Sequence, residues 1–542
     1  MSAAIEAPCG QSMILSKLVT GEGTFDYVVV GAGTAGCVVA SRLAAAGARV
    51  ALIEAGGPHR RLLDVPLLSL WAWLRQPTRY CWIDRTKPQA ALGGRRVLWP
   101  SGRLVGGSSA INAMIYCRGH RASYDRWQHV ASSESDAPIW NYEALLPYFR
   151  RSEDFEGEPS LDHGAGGPIG VSASRYPTAL AEAFLRGCED LGIRRTDDFN
   201  SGAAHGAGYL HLSQRKGRRT SSEKYLRRDG DLGLPTVFLR QAVTRIIFEQ
   251  HRATGVEVAT TTGHSLIFAD REVILCAGAV RSPQLLMLSG VGPADMLRRF
   301  EIGIVADRPG VGDNLQDHVR VPVAHECAGR RPTAPAALMR GAVRYALTRK
   351  GLFASNVADA AAILRLDASR EVPNLRILCR WRVLPQHPSW VVDFEVVAID
   401  PESRGRVTLA SADSTRSPQI DPGYLTASAD TAVLRRGIEL ARELAATKAC
   451  REAGIVVEVF PGNVARTVEH IRQQADTAFH PVGTCRLGVD ASAVVDPWLR
   501  VVGVSGLRVV DASVMPTTVA GNAQAAVYAI AERAVDFIRA ER

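Results

Sequence analysis

Apolar positions in this chain come as short unbroken runs separated by glycine-rich turns, not as long amphipathic stripes. Phe25 to Val30 (FDYVVV) has the continuous character of a strand buried on both faces of a parallel sheet. It runs into Gly31-Ala32-Gly33-Thr34-Ala35-Gly36, and the Ala-rich stretch Ala35 to Ala46 then predicts a helix stopped by Gly47. A second strand, Arg49 to Ile53, ends at Glu54, completing a βαβ unit. Further on, Glu272 to Cys276 predicts another buried strand, followed by a helix near Ser282 to Ser289. Trp390 to Ile399 alternates only weakly and is followed by Arg406 to Leu409; both are expected as antiparallel strands of a different sheet. Leu507 to Val510 reads as a short strand and Ala523 to Arg539 as a closing helix. Residues 58–101, with five prolines and four of the nine tryptophans, are expected to be an irregular but packed excursion.

This order predicts an α/β fold: a Rossmann-like dinucleotide domain built from discontinuous segments, with an inserted α+β domain containing an antiparallel sheet. The expected division is an extension over 1–24, a cofactor domain over 25–150, 196–310 and 476–542, and a substrate domain over 151–195 and 311–475. The purpose of the extension is open; its apolar part, Met13 to Val19, is interrupted by Ser16 and Lys17 and does not read as a secretory signal.

Composition changes this picture little. The chain has 542 residues, 46% of them hydrophobic, and a formal charge of +9. The densest basic stretch, Arg215 to Arg219 (RKGRR), lacks interleaved aromatics, so a solvated loop is expected and no nucleic-acid partner. No window reaches the ~18 apolar residues of a membrane span. The ten cysteines form no CxxC, which leaves a zinc site or a redox dithiol unsupported and suits a reducing, cytoplasmic setting. Cys37 and Cys276 are expected to be small buried side chains.

The glycine loop supplies the first chemistry. Gly31 permits the tight turn, Gly33 lets backbone amides approach a pyrophosphate, and Gly36 lets helix and sheet pack closely. Glu54, 18 residues after Gly36, stands where a carboxylate would accept hydrogen bonds from ribose hydroxyls. The motif does not distinguish NAD from FAD.

Longer segments do. Gly102-Arg103-Leu104-Val105-Gly106-Gly107-Ser108-Ser109-Ala110-Ile111-Asn112, with Tyr116 and Asp125 beyond it, resembles the first signature of the glucose–methanol–choline (GMC) oxidoreductases. Gly278 to Leu286 with Ser289 to Gly292 resembles the second. Gly312 to His318, Ser403 to Val407, the run His480-Pro481-Val482-Gly483-Thr484, Asp511-Ala512-Ser513 and Gly521-Asn522 follow in family order. The resemblance implies FAD. It implies that Val105, Gly107 and the run Asn112, Ala113, Met114 and Ile115 lie along the flavin and pyrophosphate. It also implies Val243 beside the adenine, and Asp511 and Ala512 near the pyrophosphate and ribityl chain. From its residues alone, Val243 is equally a core strand position. Relatives with covalently linked flavin can carry His just before the Asn of the first signature; here Ile111 stands there, so dissociable FAD is expected.

The same resemblance casts His480 as the base that takes the hydroxyl proton of an alcohol and Asn522 as its polar partner. An imidazole is the natural acceptor near neutral pH, and an amide can donate to a developing alkoxide. Asn522 also sits where a helix N-cap belongs. Phe479 and Gln524 are expected cavity neighbours, and His318 a structural hydrogen bonder. Arg380-Trp381-Arg382 is expected at a solvated strand edge; facing the cavity, it would favour an acidic or aromatic alcohol. The implied reaction is FAD-dependent oxidation of a primary alcohol to the carbonyl, with O2 or a quinone-like acceptor. A lyase or decarboxylase on the same fold is the alternative, and a non-catalytic flavin-binding protein a third. The particular alcohol and the oligomeric state stay open.

Overall fold

The computed structural model describes residues 23–75, 77–132, 139–158, 160–227, 233–260, 263–328, 334–383, 390–462 and 467–541. The apolar segment Met13 to Val19 lies outside them. Two seven-stranded sheets organise the chain. In the first, Thr236–Leu239, Val50–Glu54, Gly23–Val30 and Gly263–Leu275 run parallel, with Leu507–Val509 also parallel to the last of these. Arg252–Thr260 and Ala242–Glu249 extend this sheet antiparallel. Helices Thr34–Ala45 and Ala523–Ala540 contribute to the same apolar core.

The second sheet is antiparallel, in the order Ile455–Phe460, Val319–Cys327, Trp390–Ala398, Leu375–Val383, Ala358–Leu364 and Gly206–Tyr209. The short strand Asp476–Thr477 also pairs with Val319 and Arg320. Every residue of Trp390–Ala398 is buried, which explains its weak alternation: it is an interior strand with protein on both faces. One face packs with helices Ala179–Asp190 and Ser428–Ala445, the other with a smaller cluster around Met114, Phe199 and Ala520.

Several expectations need correction. Gly206–Tyr209 lies within the span assigned to the cofactor domain, yet it pairs with Ala360–Ile363 as an edge of the second sheet. Its glycines and short length left no apolar run to read. The excursion 58–101 is more regular than expected. It holds helix Pro66–Arg75, started by a proline at a position where no N–H is needed, and the hairpin Cys81–Arg85 with Leu98–Gly102. Pro100 is tolerated there because each strand of a two-stranded ladder has a free edge. The second-signature helix starts at Gly278, four residues before the predicted start, with Pro283 inside it. The Ala279 carbonyl, which Pro283 cannot satisfy, accepts from Thr484 Oγ1 at 2.7 Å. Arg406–Thr408 pairs with Gln419–Asp421 in a separate ribbon.

The tightest packing in the first sheet is at the glycine loop. A Cβ at Gly36 would stand 1.8 Å from the Gly31 carbonyl oxygen, whereas one at Gly33 would meet nothing closer than 3.9 Å. Gly36→Ala should therefore lower the thermal midpoint of the apoprotein, by the ~1–3 kcal/mol of an overpacked contact or more. Gly33→Ala should leave it unchanged. Equal midpoints for the two variants would show that helix and strand are not held this closely.

Candidate active site

The two sheets together line a cavity of about 1340 Å³. Typical small-ligand pockets measure roughly 300–1,000 Å³, so this one is sized for a dinucleotide with a second, smaller molecule. Gly31, Gly33, Glu54, Gly107, Asn112, Ala113, Met114, Ile115, Val243, Asp511, Ala512, His480 and Asn522 all line it. Gly36 and Val105 do not. Gly36 has the packing position just described, and Val105 is buried in the first core with its N–H on Gly57 O.

FAD fits this lining by the space its glycines leave. Gly33 caps helix Thr34–Ala45 without any side-chain cap, so the first-turn amides carry the partial positive charge that suits a pyrophosphate. Protein packing makes no demand for glycine at 33; Gly278 has open space at its Cβ direction, but its φ of +82° is itself a reason for glycine. Gly107, at φ +51°, does press on the Gly33 Cα and folds the second loop onto the first. Glu54 is not a surface carboxylate: only 6% of it is exposed, and it accepts from Ala32 N at 3.0 Å and Gly56 N at 2.7 Å. Each oxygen keeps a lone pair for a ribose hydroxyl. The Asp511 carboxylate is committed to protein donors: Gly278 N, Ser282 Oγ, Ser513 N and Ser513 Oγ. Any contact from this segment to a cofactor falls to its backbone and to Ala512.

Asn112 is held from two sides. Its Oδ1 accepts from Met114 N at 3.0 Å and from Arg219 Nη1 at 2.7 Å, and its amide donates to Gln524. Arg219, expected in a solvated loop, is 2% exposed and also bonds Ser109 O, Asn112 O and Ser69 Oγ. Burial pushes its guanidinium down to about 9. The hairpin Gln214–Arg215 with Arg218–Arg219 turns this one arginine inward. Basic composition carries no signal for that, because the acceptors lie more than 100 residues earlier.

His480 arrives at the cavity from the end of Asp476–Thr477, whose pairing with Val319 and Arg320 sets it beside the segment Gln316-Asp317-His318. Its backbone N–H donates to Asp317 Oδ1 at 2.8 Å, and its Nδ1 lies 3.0 Å from His318 Nδ1. Its Nε2 lies 2.9 Å from Asn522 Nδ2. Asn522 is the N-cap residue of the last helix but makes no side-chain cap bond there. Its Oδ1 accepts from Arg376 Nη1 at 2.9 Å. Because arginine can only donate, this contact fixes the amide orientation and leaves Nδ2 to donate. His480 Nε2 is then the bare acceptor, and its Nδ1 carries the proton donated to His318. Burial holds His480 well below the usual imidazole value, helped by His318, Arg376 and Arg320, and His318 is pushed down to about 3. Both rings are neutral. Phe479 and Gln524 line the cavity as expected.

Arg380-Trp381-Arg382 does not occupy a solvated edge. Its strand lies between two others and all three residues line the cavity. The charges are tolerated because Asp393 and Glu395 on the next strand face them. Among the described residues one group has metal-ligating types, His59, Asp64 and Glu223, brought together from distant segments. Lys224, Arg218 and Arg227 already neutralise its carboxylates. No helix among the described residues is long and apolar enough to cross a membrane.

Family models for GMC oxidoreductase match residues 25–320 and 401–531. The chain is 35% identical to an alcohol dehydrogenase [acceptor] of Pseudomonas putida, over 95% of each chain. It is 36% identical to an oxygen-dependent choline dehydrogenase of Vibrio vulnificus, over 95% of this chain and 94% of that one. The structure superposes on pyridoxine 4-oxidase from Mesorbium loti with a TM-score of 0.85 and 32% identity, covering 95% of this chain and 99% of that one. GMC oxidoreductases are FAD enzymes, and the chain belongs to that family.

Proposed function

We propose that the protein oxidises a primary alcohol to the carbonyl, with His480 as the base and Asn522 as the donor to the substrate oxygen. The observation that carries this reading is the 2.9 Å contact of Asn522 Nδ2 with an unprotonated His480 Nε2 at the cavity wall. A hydroxyl entering between these two groups meets an acceptor for its proton and a donor for its oxygen. His480 takes the proton at Nε2 while its Nδ1–H stays on His318, which holds the ring in that orientation. Asn522, released from Nε2, donates to the developing alkoxide, and Arg376 keeps its amide from flipping. FAD, when bound, supplies the hydride acceptor for the carbon. An aldehyde hydrate offers the same hydroxyl and fits the same scheme.

Ile111 lines the cavity with a carbon side chain, which supports dissociable FAD. The acceptor for the electrons is read as O2 or a quinone-like molecule, consistent with the alcohol dehydrogenase [acceptor] and oxygen-dependent choline dehydrogenase among the relatives. The nine described cysteines are all unpaired and buried, which supports a cytoplasmic setting. Anaerobic bleaching of the flavin by a panel of alcohols tests the reaction class; a protein working as a lyase or decarboxylase would stay yellow.

Acid or heat denaturation followed by filtration should carry the yellow colour into the filtrate; colour retained on the precipitate would refute dissociable FAD. Glu54→Gln should weaken FAD affinity by roughly tenfold or more, because the neutral amide replaces a charge-assisted acceptor and turns an NH2 toward donors. Flavin reduction in the saturated variant should be close to wild type, and titration of apoprotein with FAD decides the point. His480→Ala should slow anaerobic flavin reduction by about 10²–10⁴-fold with FAD content intact. Asn522→Ala should slow it less. A base held below its usual value stays neutral until the pH falls past the lowered value, so wild-type reduction should be flat from about pH 9 to about pH 6. A His480 variant reducing at the wild-type rate would remove the base from the mechanism.

A further inference from the structure

The strand Leu375–Val383 turns every second residue, Arg376, Leu378, Arg380 and Arg382, toward the cavity. With Arg320 from Val319–Cys327, on the far side of Trp390–Ala398, four guanidinia stand on this wall against three carboxylates. Arg320 bonds Glu395 at 2.9 Å and Asp476 at 2.9 Å. Arg380 lies 2.8 Å from Glu395 and 3.3 Å from Asp393, and Arg382 lies 2.5 Å from Asp393. The three outer arginines are thus matched.

Arg376 is not. It is 3% exposed and has no carboxylate at ion-pair distance among the described residues. Among the described residues its hydrogen bond runs from Nη1 to Asn522 Oδ1, Nε is buried without a partner, and Nη2 meets no acceptor. Burial lowers its affinity for the proton, but a guanidinium does not become neutral at working pH. Glu395 attracts it from beyond contact distance but is already bonded to Arg320 and Arg380, and a buried cation without a counter-ion in contact is among the most unfavourable arrangements a fold can hold. This one lies a single amide away from His480, at the wall where the substrate is read to sit.

We infer that the substrate carries its own counter-ion: an alcohol with a carboxylate close to the hydroxyl, a hydroxy acid, whose carboxylate rests on Arg376. The inference rests on the alcohol-oxidation reading above and adds the substrate class. One unmatched cation whose Nε and Nη2 both lack a protein acceptor suits a monoanion; a phosphate would seek the other arginines, which are already paired. A quaternary ammonium alcohol would bring a second cation to an uncompensated one and is excluded on the same ground. The carboxylate also acts on the chemistry. Arg376 is one of the charges that discourage His480 from holding a proton, and screening it makes the ring a stronger base for the hydroxyl beside it.

The test uses the holoenzyme. Anaerobic flavin reduction by 3-hydroxypropionate and 4-hydroxybutyrate is compared with 1-propanol, 1-butanol and choline. The acids should win by about tenfold or more in kcat/KM, as expected for a charge-assisted contact. Arg376→Gln should erase that preference and Arg376→Lys should keep part of it; the lysine variant also stands in should the glutamine variant not fold. Propionate and butyrate, which cannot be oxidised here, should bind wild type by calorimetry and bind Arg376→Gln at least about tenfold more weakly. Carboxylate binding without reduction by any alcohol would leave the anion site standing and remove the oxidation reading. A preference for choline or the neutral alcohols would overturn the inference. So would an Arg376→Gln variant that slows acids and neutral alcohols equally while binding carboxylates as before, since Arg376 would then only position Asn522.

Discussion

The active centre hangs on one buried carboxylate. Asp317, 4% exposed, accepts from the backbone N–H of His480, from Thr477 Oγ1 at 2.6 Å and from Tyr424 OH at 2.5 Å. Burial pushes it up to about 6, but three donors hold it where a neutral residue would leave them unmet. Through it, residues 316–318 and 477–480 become one unit. His318 and His480 meet because their flanking residues pair in the second sheet, and because Asp317 closes the turn where Phe479 takes a left-handed φ of +65°. Asn522 reaches the same point from the opposite side, at the start of a helix that belongs to the first core. The candidate catalytic pair therefore sits on the seam between the two halves of the molecule.

From that seam a polarity runs through four side chains. Arg376 can only donate, which makes Asn522 Oδ1 an acceptor, Asn522 Nδ2 a donor, His480 Nε2 an acceptor and His480 Nδ1 a donor to His318. Tautomers of buried imidazoles are usually ambiguous; here a residue with no acceptor capacity at one end removes the ambiguity. The same arginine lowers the proton affinity of the imidazole it orients. The site is thus organised by a charge whose electrostatic effect opposes the proton uptake proposed for the imidazole it orients.

Much of this was legible in the chain because local physics and long signatures agreed. The strand Gly23–Val30, the glycine turn, helix Thr34–Ala45 and Glu54 are contiguous, and the requirement for glycine at 36 follows from packing within that unit. His480 and Asn522 stood out only through the segments around them. What could not be read depends on partners far apart. Arg219 finds Ser109 and Asn112, and Arg376 finds Asn522, across separations of more than 100 residues. The Arg380-Trp381-Arg382 run misled for a physical reason: arginines ordinarily seek solvent, and nothing local reveals that Asp393 and Glu395 lie across the ladder. Gly206–Tyr209 fell inside the span expected for the cofactor domain, and its place in the second sheet went unread because a strand of small residues gives no apolar signal.

The first and last of the described helices, Thr34–Ala45 and Ala523–Ala540, are neighbours in space. Arg42 in the first helix pairs with Glu532 in the last at 2.8 Å, Tyr225 bonds the same carboxylate at 2.9 Å, and Leu507–Val509 joins the sheet begun by Gly23–Val30 through Gly263–Leu275. Glu532 is fully buried, so until the last turns are made the first helix exposes apolar surface and an arginine without its acid. During synthesis the glycine loop leaves the ribosome first and waits for hundreds of residues before Asp511, Asn522 and the closing helix can complete the walls around it. A product cut short before Asn522 would lack both that amide at the cavity wall and the helix that packs with Thr34–Ala45 in the first core.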